Sequence, residues 1–169
     1  MQGADVLLTI AEVAVAFAGF ASVVVLFQHR DLNRWPAAVV VRLRTMIEGS
    51  LTALFSALLP FVLHHLGLAG DGLWAISSLV LALAYVAFGT LVWRRSRGAL
   101  ASGELSRFFS VTVAAISIFV FAALLLNASG IIFHRAFGAY LVGVSWALVF
   151  ASLMFLRVVV LPRSLSGSD

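Results

Sequence analysis

The sequence predicts an all-α protein, a polytopic membrane bundle of five transmembrane helices occupying residues 1–169 as a single domain. Its N-terminus is expected outside and its C-terminus in the cytoplasm. Three observations predict this. Of 169 residues, 63% are hydrophobic and 11% charged, whereas soluble domains are about half apolar and a quarter charged. Five apolar runs each reach the about 20 residues a helix needs to cross a hydrocarbon layer. The basic residues, finally, gather on alternate connections.

The runs are taken in order as residues 6–27, 46–66, 74–93, 108–126 and 137–156. Each is continuous and about twice the length of a barrel strand, and a backbone surrounded by lipid must pair its polar groups within the segment, so helices are expected. The first run lacks a basic leading segment, since only Asp5 is charged before it, and it is expected to be a retained helix rather than a cleaved signal. Trp35 precedes Pro36, a favourable first-turn residue, so the second helix can begin there, within the 28–45 connection. Trp74 and Trp93 bracket the third helix at about 28 Å, the distance between the two interfaces where indoles settle. The spans leave no room for an extramembrane domain.

All eleven bases are arginines. Arg30, Arg34, Arg42 and Arg44 fall in the first connection, and Arg94, Arg95, Arg97 and Arg107 in the third. Arg157 and Arg163 lie towards the C-terminus, and only Arg135 falls on the other side. This asymmetry is the positive-inside signal that sets the orientation. It also reads the pI of about 11.1 as attraction to the bilayer's anionic headgroups, not to nucleic acid. The absence of cysteine excludes disulfides and thiolate metal sites.

Small residues recur every fourth position at Ala139, Gly143, Ala147 and Ala151, and again at Ala14, Ala18 and Ser22. Such stripes let helix backbones approach in lipid. A five-helix bundle also has a large lipid-facing perimeter, so a homo-oligomer is expected.

Ionisable groups inside spans are the default functional candidates. Glu12 sits on a face with Thr9, Ala16 and Gly19, small neighbours that suggest another helix presses against it. It is read either as a proton or cation site or as polar glue between helices. Arg44 and Glu48 form an i,i+4 pair. Glu48, Thr52 and Ser56 continue the same stripe, Pro60 frees the Ser56 carbonyl from its helical partner, and His64 and His65 close the helix. This set is the candidate ion or proton pathway, the alternative being that the hydroxyls bond their own helix backbone. Adjacent histidines diverge by about 100° and the i,i+4 spacing of a helical zinc site is missing, so no metal is expected. There is no phosphate-cradling glycine loop and no nucleophile elbow, so neither a cofactor nor catalysis is expected.

LLTIAEVAVAFAGFASVVVLF, from Leu7 to Phe27, together with RLRTMIEGSL, from Arg42 to Leu51, resembles small multi-pass membrane proteins of bacteria that have no assigned activity. The resemblance covers about the first third of the chain. It implies a location in the bacterial inner membrane and carries no functional residue. The functional expectation is a small oligomeric bundle that passes protons or small ions, the alternative being a non-conducting accessory or scaffold subunit.

Overall fold

The computed structural model describes residues 3–27, 37–101 and 106–160. Five helices follow one another: α1 (Ala4–Phe27), α2 (Ala37–His65), α3 (Gly70–Ala101), α4 (Arg107–Ser129) and α5 (Phe137–Val160). All five are long and apolar enough to cross a membrane, and no strand occurs among the described residues.

The helices outrun the apolar stretches that announce them. Helix α2 begins at Ala37, as the Trp35 and Pro36 start allows, so residues 37–45 form its first turns, and Arg94, Arg95 and Arg97 stand on α3 rather than in a loop. Arginine is a good helix former, and a helix leaving hydrocarbon keeps its backbone bonds in water, so hydropathy ends before the helix does. Arg30, Arg34 and Arg163 lie outside the described residues.

Little hydrophobic gain draws helices together in lipid, so packing depends on how closely backbones approach. Helices α2 and α5 approach closely. A Cβ on Gly49 would sit 3.5 Å from the Ala151 methyl and 3.8 Å from the Ala147 carbonyl. Ala14 of α1, Ala53 of α2 and Ala147 of α5 form one buried cluster. Gly143 faces the other way, where a Cβ would come within 2.9 Å of both Leu81 on α3 and Leu124 on α4. The α5 stripe thus works on two sides, with Gly143, Ala147 and Ala151 buried and Ala139 half-buried. The α1 stripe is only partly used: Ala14 is buried and Ala18 half-buried, but Ser22 is exposed and donates to its own helix at the Ala18 carbonyl. Its expected packing role is not found within the chain, because α1 turns this edge away from α2 and α5.

Helix α1 packs on α2 and α5 and touches neither α3 nor α4. All five helices contribute to a core whose largest fully buried side chains include Tyr140, Leu7, Leu81, Leu124 and Val144. Polar clips fix the ends. Ser106 caps α4 by accepting the Phe109 N–H, and Gly130 ends that helix in the left-handed region at φ 76°. The α4–α5 connection also holds His134 and Arg135 at φ 49° and 58°, a conformation unfavourable for residues with a Cβ. Asn127 pins it. Its carbonyl accepts the Ala136 N–H at 2.8 Å, while its amide donates to the Ala136 carbonyl at 3.1 Å and to the Ser78 hydroxyl at 2.8 Å.

Overpacking the Gly143 contact is expected to be costly. Gly143→Val should lower stability by about 1–3 kcal/mol in detergent-denaturation curves. Gly19→Ala, where an added Cβ meets nothing within 4 Å, should leave the curve unchanged within about 0.5 kcal/mol.

Candidate functional site

The alternation of spans brings Arg42, Arg44, Arg94, Arg95, Arg97, Arg107 and Arg157 to one end of the bundle, with Arg135 at the other. Near the arginine-rich end Glu48 accepts from Arg44 Nε at 3.2 Å, the local pair its spacing announces. The stronger partner comes from α3: Arg95 Nη1 donates to both carboxylate oxygens, at 2.5 and 2.7 Å. Glu48 and Arg95 are about three-quarters shielded, whereas Arg44 is 62% exposed. Arg95, assigned from sequence to topology and headgroups alone, therefore ties α2 to α3.

The rest of the α2 stripe turns into the bundle. Thr52 is half-buried and donates to the Glu48 carbonyl at 2.8 Å, while Ser56 is buried. The Ser56 carbonyl, released by Pro60, accepts the buried Tyr140 hydroxyl from α5. A tyrosine thus occupies the group that the proline leaves open. His64 and His65 are exposed, and their ring nitrogens lie 3.3 Å from the Leu68 carbonyl and 2.8 Å from the Phe61 carbonyl. Their rings stand at 85° to each other, 6.2 Å apart. Among the described residues no three carboxylate or imidazole side chains gather as a metal site.

Glu12 departs from expectation. It is exposed on the outward side of α1, as are Thr9, Ala16 and Gly19, so no helix of this chain presses on that face. Small neighbours mark a face on which close approach is allowed; they do not say which helix uses it.

A partly open cavity of about 470 Å³ lies between α2, α3, α4 and α5 in the arginine-rich half. Most of its wall is apolar, with Phe88, Val92, Phe150 and Met154 among the contributors. Tyr85, Trp146 and Ser117 lie deepest. Tyr85 donates to the Gly143 carbonyl at 2.8 Å and Trp146 Nε1 to Ser117 Oγ at 3.0 Å, so these polar groups are engaged with the protein. The rim includes Trp93 and Val111, which are 62% and 68% exposed. Arg42, Arg107 and Arg157 also line it, and no acid does among the described residues. The Arg157 guanidinium lies 3.4 Å from the Phe109 ring centroid, a cation–π contact, and Arg42 is near enough for its like charge to act on it.

The sequence reading missed this cavity. A faint signal exists in the spacing: Arg42, Thr45, Gly49 and Thr52 recur at i, i+3, i+7 and i+10, and Arg107, Ser110, Ala114 and Ser117 repeat that interval on α4. Each set is a small and polar helix face ending in arginine. A second, shallower space of about 320 Å³ lies at the opposite end between Asp71, Trp74 and the His134–Gly138 connection.

The five apolar helices define the class, a membrane-embedded helical bundle. No known family, curated protein or solved structure matches the chain.

The Glu48–Arg95 pair should register as energetic coupling. A double-mutant cycle with Glu48→Gln and Arg95→Gln in detergent is expected to give about 1–2 kcal/mol, against less than about 0.5 kcal/mol for the exposed Arg44 and Glu48 pair.

Proposed function

We propose that this bundle is a receptor within the membrane for an anionic amphiphile, with the apolar tail in the cavity and the charged head among Arg42, Arg107 and Arg157. The observation that carries the reading is the apolar cavity of about 470 Å³ that ends beneath arginines, with no acid among the described residues of its lining. That volume falls in the usual range for ligand pockets, about 300–1,000 Å³. Lipid tails are as apolar as the cavity wall, so a chain gains little by leaving the bilayer. Net affinity must come from charge-assisted hydrogen bonds to the head, which is why the arginines matter more than the volume.

On the positive-inside rule the arginine-rich end faces the cytosol and the N-terminus the outside, and the resemblance of residues 7–27 and 42–51 supports the bacterial inner membrane as the location. The ligand would then enter from the cytosolic leaflet, and the remaining arginines would hold orientation against anionic headgroups. A reporter fused after Asp169 is expected to be accessible only from the cytosol; access from the other face would reverse this assignment.

Passage of protons or small ions is the second reading. It is favoured by the inward turn of Glu48, Thr52 and Ser56 and, for an oligomer, by the outward placement of Glu12. Against it, the Glu48 carboxylate is engaged by Arg95 and the Ser56 carbonyl by Tyr140, an arrangement that suits the non-conducting alternative.

One preparation separates these readings. In nonionic micelles, Trp93 and Trp146 lie in the cavity wall, so a bound chain should change tryptophan fluorescence saturably. Laurate and dodecyl phosphate are expected to do so and dodecyltrimethylammonium is not; equal responses to all three would sink the receptor reading. The same protein in vesicles is expected to leave an imposed pH gradient intact. Dissipation that Glu48→Gln abolishes would favour conduction instead.

A further inference from the structure

We infer that the mouth of the cavity is a seat for a phosphomonoester, so that the ligand class is a single apolar chain ending in a terminal phosphate. The inference rests on the receptor reading above and narrows it.

The charge at the mouth comes first. Arg42, Arg107 and Arg157 line it, and no acid among the described residues does. Glu48, the nearest carboxylate in sequence to this wall, is committed to Arg95 and Arg44. Helix α4 begins at the same mouth with Arg107, just after its Ser106 cap, and so adds the positive end of a 23-residue helix. A carboxylate brings one negative charge, whereas a phosphomonoester brings about 1.5 to 2 near neutral pH.

The hydroxyls give an independent observation. Thr9, Ser22, Thr52, Thr90, Ser110, Thr112, Ser129 and Ser152 all donate to a carbonyl three or four residues back in their own helix. That is the ordinary way to satisfy a hydroxyl in an apolar helix. Thr45 and Ser96 do not. They are 3% and 9% exposed, both line the cavity, and neither makes a hydrogen bond among the described residues. The buried hydroxyls of Ser50, Ser56 and Ser77 likewise make no hydrogen bond among the described residues but take no part in the cavity wall. Two buried donors left open beside a cationic mouth are what an oxygen-rich anion would satisfy.

Geometry selects between anions. The donors come from four helices: Thr45 on α2, Ser96 on α3, Arg107 on α4 and Arg157 on α5. A planar carboxylate offers two oxygens in one plane. A terminal phosphate offers three, directed apart, and can meet donors arriving from several sides. The ring of Phe109 beneath Arg157 helps keep that guanidinium at the mouth when no anion is present.

The test uses the full chain in nonionic micelles with tryptophan fluorescence as readout. Dodecyl phosphate is expected to bind at least about tenfold more tightly than laurate, the difference that one additional charge-assisted hydrogen bond makes. Inorganic phosphate at the same concentration should not compete. Thr45→Val combined with Ser96→Ala should weaken dodecyl phosphate about tenfold while changing laurate by less than about threefold. Arg157→Gln should weaken both, and Arg97→Gln, exposed and away from the cavity, neither. If the arginine variant does not fold, the hydroxyl pair still decides the matter. Equal affinity for laurate and dodecyl phosphate, a hydroxyl variant indistinguishable from wild type, or full competition by inorganic phosphate would each overturn the phosphate seat and leave the receptor reading intact. Binding of neither amphiphile would remove the receptor reading itself.

Discussion

The approach of α2 and α5 through side chains no larger than a methyl sets the geometry of this bundle. Gly49, Ala53, Ala147 and Ala151 bring the two backbones together, and Ala14 brings α1 onto the same seam. Because lipid offers helices little reason to meet, a seam of this kind decides where every other helix can lie. Gly143, one turn along α5, receives Leu81 and Leu124 from α3 and α4 and closes one half of the core. In the other half, larger residues such as Phe88, Phe109 and Phe150 hold the helices further apart, and the cavity lies between them. Pocket and core are two results of one arrangement of small and large side chains.

Polar groups then lock what packing has placed. Each principal bond joins different elements: Glu48 to Arg95 between α2 and α3, Tyr140 to the Ser56 carbonyl between α5 and α2, and Asn127 to Ser78 between α4 and α3. Such bonds are modest individually even in lipid, yet they specify helix rotation, which apolar surfaces alone leave loose. Several buried hydroxyls remain unbonded among the described residues, and those of Thr45 and Ser96 are the ones in the cavity wall.

Features that depend on neighbours along the chain were legible in the sequence: the five spans, the clustering of arginines, the Arg44–Glu48 pair and the carbonyl released by Pro60. What depended on helix rotation was not. A soluble helix reveals its buried side by polar residues opposite; here lipid-facing and protein-facing sides are both apolar, so periodicity says little about which is which. Glu12 was therefore read as packed although it faces outward, and Arg95 was read as a topology marker although it reaches a carboxylate 47 positions away. The cavity depends on the relative rotation of four helices at once, and only the repeated i, i+3, i+7, i+10 spacing on α2 and α4 hinted at it.

The marginal position of α1 has a further consequence. It leans on α2 and α5 but contributes nothing to the cavity wall and does not meet α3 or α4. The molecule consequently has two faces with separate allegiances, a chamber built by the last four helices and a flank built by the first. Whatever neighbours the Glu12 flank keeps in a crowded bilayer, they can change without rearranging the chamber directly. Any message between the two would pass through α2 and α5, for instance where Ala21 shares a cluster with Phe150 and Met154 of the cavity wall.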